Sequence, residues 1–176
     1  MMLTTAFPGG SGWAAHAYSQ FGDIKYPPGF THFDYVNPSA PKGGEIRMVP
    51  PTRPTNFDKF NPFTLKGTAP HNLAALMFDS LLVGNSDEPT TAYGLLAEDV
   101  SVPADRRSAT FRLHPRARFH DGKPVLAADV AHSFRTLVSA QAAPQYRVLF
   151  AEVKAVVEVD ERTVRYRFRK PNRELP

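Results

Sequence analysis

The residues able to do chemistry are few and poorly partnered. His114, His120 and Asp121 make the best metal-ligand candidate in the chain. On one strand the two histidines would share a face yet stand about 20 Å apart at ~3.3 Å per residue. Pro115 interrupts such a strand, and Asp121 is better used in the Asp121-Gly122 turn. No metal is therefore expected. Glu98 and Asp99 are adjacent carboxylates, but consecutive strand residues face opposite ways, so shared acid–base work is not expected. His132 lies on an expected helix and reads as a surface histidine. Glycine-rich phosphate loops, nucleophile elbows and paired-histidine zinc helices are all missing from the sequence. Cysteine is absent as well, which removes thiol nucleophiles, disulfides and cysteine-based metal centres. An enzyme is disfavoured, and no cofactor is expected.

The elements around these residues are short. At 176 residues with 42% apolar and 22% charged positions, the chain is globular in composition, with a length near one domain. Its 17 prolines are spread over turns, which excludes a long-helix or coiled-coil protein. Tyr18 to Lys42 should be an extended segment that lays Tyr26, Phe30, Phe33 and Tyr35 onto a body it does not itself form. Glu45–Val49 alternates as a strand ended by prolines. Thr68-Ala69-Pro70 should open a helix carrying Leu73, Leu76, Met77 and Leu81 on one face, stopped by Gly84-Asn85. Strands are expected around Val100–Val102 and Phe111–Leu113, joined by a turn at Ala104-Asp105-Arg106. A second amphipathic helix runs from about Ala127 to Val138, and a hairpin pairs 153–159 with 163–168. The fold class is α+β, with hairpin strands and two amphipathic helices.

Charge is concentrated at one end. Six basic residues and two acids between Glu161 and Pro176 carry the whole net charge of +4. Val164, Tyr166 and Phe168 alternate with Arg165, Arg167 and Arg169, the pattern of a half-buried strand with a solvated basic face. The alternative is a small basic interaction module that binds nucleic acid or an acidic partner. Residues 1–17 carry no charge and end Ala15-His16-Ala17, which fits a signal-peptidase site. Pro8 to Gly12 breaks any apolar core there, so a plain tail fits as well.

The spacing of Phe119, Asp121-Gly122 and Pro124-Val125 ahead of Ala128-Asp129-Val130 and Ser133-Phe134 resembles a family signature. That family is family 5 of the bacterial extracellular solute-binding proteins. The stretches His16 to Asp23, His32 to Gly44 and Asn172 to Pro176 look like its YejA-type branch. Leu126 departs from the pattern, standing where the family usually has a threonine that caps the next helix.

The resemblance implies a type II periplasmic binding protein with two α/β lobes and an extra small subdomain, of which this chain would be an N-terminal part. Residues 1–17 would be a signal-peptide remnant. Residues 18–50 would hold an extended segment and the first strand of lobe I, and residues 51–176 a loop and the small subdomain. The implied function is capture of oligopeptides or peptide-like solutes in the periplasm for an inner-membrane ATP-binding-cassette permease. Such a protein would be a monomer at full length and would not bind nucleic acid. In the oligopeptide binders the loop after an Asn/Asp-Pro turn touches ligand. Here that implies Lys66, Gly67 and Thr68, with Lys66 facing an anionic group. Glycine permits close backbone approach, and an expected helix N-terminus would add to the attraction for anions.

Overall fold

The computed structural model describes residues 15–47 and 56–174. In chain order the elements are β1 (Ala17–Ser19), α1 (Leu73–Met77), β2 (Leu82–Gly84), β3 (Thr91–Gly94), β4 (Ala97–Ser101), β5 (Ser108–Leu113), α2 (Ala127–Leu137), α3 (Pro144–Leu149), β6 (Val153–Glu158) and β7 (Thr163–Phe168). They form two antiparallel sheets, one ordered β1-β3-β2 and the other β4-β5-β7-β6. This is an α+β fold.

The four-stranded sheet holds the main core because its central strands β5 and β7 alternate strictly. Ala109, Phe111 and Leu113 on β5 are buried, as are Val164, Tyr166 and Phe168 on β7. Their register sets Ala109 opposite Tyr166 and Phe111 opposite Val164. The Phe111 and Tyr166 rings meet edge to face at 5.4 Å. Burial among these groups pushes the Tyr166 phenol up to about 12. Helix α2 covers the sheet with buried Ala127 and Ala131, while Val130 and Phe134 pack against the same cluster. Leu126 has no side-chain acceptor for the first turn; only the returning half of a capping box is present, with Asp129 Oδ2 accepting the Leu126 N–H at 2.8 Å.

The smaller sheet carries the aromatic segment. Tyr26, Phe30 and Phe33 gather around Tyr93, with ring centroids 5.2 to 5.7 Å from it. Tyr93 is only 1% exposed. Polar contacts fix the segment from both sides. The Tyr26 hydroxyl donates to Asp87, and the Tyr93 hydroxyl donates to Glu88. Lys25 bridges Asp34 at 2.6 Å and Asp87 at 3.0 Å. At the start of the segment Ala15 exchanges two backbone bonds with Val100, and Ala17 is buried in β1. The ladder therefore runs through the small residues of the expected cleavage motif.

Three expectations are corrected. The first helix does not run from Thr68 to Leu81: it covers Leu73–Met77, with Asn72 left-handed at φ 59° as its N-cap. Leu82–Gly84 instead form β2, because their backbone finds ladder partners on β3, with Val83 opposite Tyr93. The crossing from β3 to β4 requires Gly94, where a Cβ would stand 2.4 Å from the Ala97 carbonyl oxygen. Secondly, Glu45–Arg47 form no strand with any of the described residues, and Ile46 is 87% exposed; Met48 and Val49 lie outside the described residues. Thirdly, the described residues hold three helices rather than two, since Pro144 opens α3 at its first position.

Candidate functional site

Asn56 to Thr68 forms a closed loop, shut at its base by Asp58 and Thr68, with the Lys59 N–H also donating to the Thr68 carbonyl at 3.3 Å. The Asp58 N–H donates to the Thr68 carbonyl at 2.9 Å, and Asp58 Oδ2 accepts the Thr68 N–H at 2.8 Å. Inside the loop Lys59 Nζ donates to the Thr64 carbonyl at 2.5 Å and lies 2.9 Å from its hydroxyl. Asn61 Oδ1 takes the Phe63 N–H at 2.9 Å, the Asx turn expected ahead of Pro62. One antiparallel bridge holds the loop to the body: Thr64 stands opposite Ala142, with the Ala143 N–H donating to the Phe63 carbonyl at 2.8 Å.

Lys66, Gly67 and Thr68 therefore sit together on the return limb of this loop. Lys66 is exposed. Gly67 has φ +84°, and a Cβ there would fall 3.1 Å from Asp58 Cβ, so both conformation and space select glycine. Thr68 is half-buried and spent on Asp58 through its backbone. It does not cap a helix. The N-cap of the five-residue α1 is Asn72, which makes no side-chain cap bond, so the expected helix-dipole attraction for an anion does not arise at this loop. The attraction left at the loop is the Lys66 ammonium.

The other candidate groups are engaged in structure. His114 Nδ1 takes the Arg116 N–H at 3.0 Å. Asp121 accepts the Lys123 N–H at 3.0 Å and pairs with its ammonium at 3.0 Å; these contacts hold its carboxyl below the usual range. His120 is exposed beside that turn, and His132 lies exposed on α2 with Nε2 3.4 Å from the Thr136 hydroxyl. Among the described residues no group of three histidines, cysteines or carboxylates could hold a metal ion.

Glu98 and Asp99 need a correction. A register shift on β4 between Ala97 and Asp99 makes Glu98 an extra residue, and both carboxylates reach Arg112, at 3.1 and 2.6 Å. They share one face after all, and they spend it on a guanidinium. On the basic strand, Arg165 Nε bonds the Thr110 hydroxyl at 3.0 Å and Arg169 Nε bonds the Ala151 carbonyl at 3.0 Å. Arg165 is thus tied to β5, and Arg169 to the turn ahead of β6.

The comparisons agree with this fold. Residues 91–176 match the sequence model "Bacterial extracellular solute-binding proteins, family 5 Middle". The protein y4wM of Sinorhizobium fredii is 46% identical over 155 residues, which is 88% of this chain and 22% of that protein. The probable peptide-binding protein YejA of Agrobacterium fabrum is 42% identical over 159 residues, 90% of this chain and 25% of that protein. The chain thus spans about a quarter of the length of these relatives. Among solved structures, Haemophilus influenzae OppA in complex with the peptide RPPGFSPFR shares 25% identity at a TM-score of 0.55, over 64% of this chain and 25% of that one. The neighbouring structures are type II periplasmic binding proteins, and a further relative, from Brucella melitensis, is named a putative binding protein. The chain belongs to family 5 of the bacterial extracellular solute-binding proteins, in its YejA-type branch.

Proposed function

We propose that these residues contribute to a periplasmic protein that captures oligopeptides or peptide-like solutes and hands them to an ATP-binding-cassette permease. Capture would occur between two lobes that close over the ligand, without covalent chemistry. The observation that carries the reading is the Asn56–Thr68 loop. It is shut by the Asp58–Thr68 pair, held to Ala142 and Ala143, and projects Lys66 next to a Gly67 that packs against Asp58. Similarity to a protein named as a probable peptide binder, and to OppA with a bound peptide, supports the same class of solute. In this reading Lys66, Gly67 and Thr68 are ligand contacts, and Lys66 prefers a solute with a carboxylate or phosphate close by.

The division of the chain at residues 17 and 50 belongs to the same proposal, with one refinement. Because Ala15 and Ala17 are bonded into the fold, an export segment is better placed wholly N-terminal to Ala15. A monomer at full length also belongs to it. Among the described residues, no helix is long and apolar enough to cross a membrane.

Calorimetry with a panel of acidic, neutral and basic peptides, on a chain of the relatives' full length carrying these residues, tests the reading. Binding to some peptides, weakened for the acidic ones by Lys66→Glu, is the expected result. Failure of every peptide to bind, or catalytic turnover of one, overturns it. Tight retention on a polyanion, lost on reversing Arg165, Arg167 and Arg169, would favour the basic-module alternative.

A further inference from the structure

Behind the Lys66 loop lies a groove of about 500 Å³, within the ~300–1,000 Å³ range of small-ligand pockets. Its apolar wall includes Phe63, Phe78 and Leu137, and its rim includes Asp79, His132 and Thr136. Phe63 meets Phe78 edge to face at 4.9 Å and Tyr146 at 5.6 Å, so the wall is built from mutually fixed rings. Phe78 nevertheless remains 47% exposed. An aromatic face held rigid and left open is suited to a further ring, because edge-to-face and offset contacts add to simple burial. The rim mixes a carboxylate acceptor on Asp79 with an imidazole and a hydroxyl that can both donate and accept. Such a rim matches a neutral amide carried beside the ring better than a second anion.

The groove is continuous with the candidate site. Phe63 and Thr64 belong to the loop that carries Lys66, and Thr64 bridges to Ala142 in the groove wall. We propose that this groove seats an aromatic side chain of the captured peptide, with the adjoining amide on its polar rim. This inference rests on the peptide-capture reading. It adds a preference that Lys66 alone does not supply, namely a phenylalanine or tyrosine near an acidic position.

The test has two arms. In the first, this chain is titrated with N-acetyl-L-phenylalaninamide and with N-acetyl-L-alaninamide, followed by amide chemical shifts of Ser133, Thr136 and Gln141. The phenylalanine probe should give saturable shifts at millimolar concentration and the alanine probe none. Thr136→Trp, at an exposed position on the groove side of α2, should abolish the shifts. Arg135→Trp, which lies off the groove, should leave them unchanged and shows that a tryptophan on this helix is compatible with the fold. Equal shifts from both probes, no shift, or shifts that survive Thr136→Trp overturn the inference.

In the second arm, a chain of the relatives' full length is titrated with peptides that differ only by phenylalanine or alanine. At least a tenfold preference for phenylalanine, lost in Thr136→Trp, is expected. Peptide binding without that preference overturns the groove assignment and leaves peptide capture standing. No peptide binding alongside probe binding in the first arm overturns peptide capture and leaves the groove as a site for aromatic amides.

Discussion

Asp58 and Thr68 bond to each other in both directions, backbone to backbone at 2.9 Å and carboxylate to N–H at 2.8 Å. The candidate loop therefore has a latch ten residues wide, and its geometry depends on one exposed carboxylate. Asp58→Ala removes the acceptor and should accelerate hydrogen exchange of the Thr68 amide at least tenfold with little change in melting temperature. Asp58→Asn keeps an acceptor and should restore most of the protection. Equal exchange in the wild type and Asp58→Ala would show that something else closes the loop.

Gly67 tests the same loop from the inside. An alanine there must adopt φ near +84° and place its Cβ 3.1 Å from Asp58 Cβ. Left-handed backbone costs a non-glycine residue about 1–2 kcal/mol, and the crowding adds to that. Gly67→Ala should shift the Asp58 and Thr68 amide resonances and weaken their exchange protection, while Gly122→Ala, with open space around its Cβ, should leave this loop unchanged. Identical loop spectra for Gly67→Ala and wild type would count against the tight packing.

Leu126 is the N-cap of α2 without an acceptor side chain. Leu126→Thr supplies one and keeps part of the apolar contact, so it should stabilise the chain by about 1 kcal/mol. For a chain of this size that corresponds to a rise in melting temperature of about 2–4 °C. A lower melting temperature would mean that the half-buried leucine contributes more by packing than the hydroxyl gains.

How much of this was legible depended on the distance over which each feature is determined. β5, β7 and α2 were readable because Phe111–Leu113, Val164–Phe168 and Val130–Phe134 repeat at the period of their element. Leu81 to Gly84 misled, since a short apolar run suits a helix end or a strand and only the partner β3 decides. Three residues of β1 carry no period at all. At the site, the Asn61-Pro62 turn was visible locally, whereas the closure of the loop by Asp58 spans ten residues and leaves no spacing signal. The shared grip of Glu98 and Asp99 on Arg112 escaped because a bulge breaks the alternation on which the reading relied.

The N-terminal boundary makes a stability prediction. A chain starting at Tyr18 loses both Ala15–Val100 bonds, the bond from the Gly94 N–H to the His16 carbonyl, and the contact of His16 Nε2 with the Tyr26 carbonyl at 2.8 Å. At about 1 kcal/mol per bond, with the burial of Ala17 lost as well, it should be less stable than a chain starting at Ala15 by about 4–5 kcal/mol. Equal denaturant midpoints for the two would show that the ladder does not extend through the expected cleavage motif.

The clamp on the aromatic segment has an acid limit. Hydrogen bonds from the Tyr26 hydroxyl and then from Lys25 hold the Asp87 carboxyl below its ordinary value. A carboxyl depressed in the folded state contributes stability above its unfolded pKa of about 3.9, and that contribution is lost as pH falls through the folded value. Lys25 stays protonated throughout this range, its ammonium pushed up by Asp34 and Asp87. Between pH 7 and pH 5 the segment should therefore remain docked, and below about pH 4 it should loosen. Tyrosine near-ultraviolet circular dichroism reads the change through Tyr26 and Tyr93, which pack edge to face at 5.7 Å. Asp87→Asn should reduce the neutral-pH stability and flatten the acid dependence together. A variant that lowers stability but keeps the full acid transition would place the titrating group elsewhere, with Glu88, whose carboxyl accepts from the Tyr93 hydroxyl and the Lys25 N–H, as the next to replace.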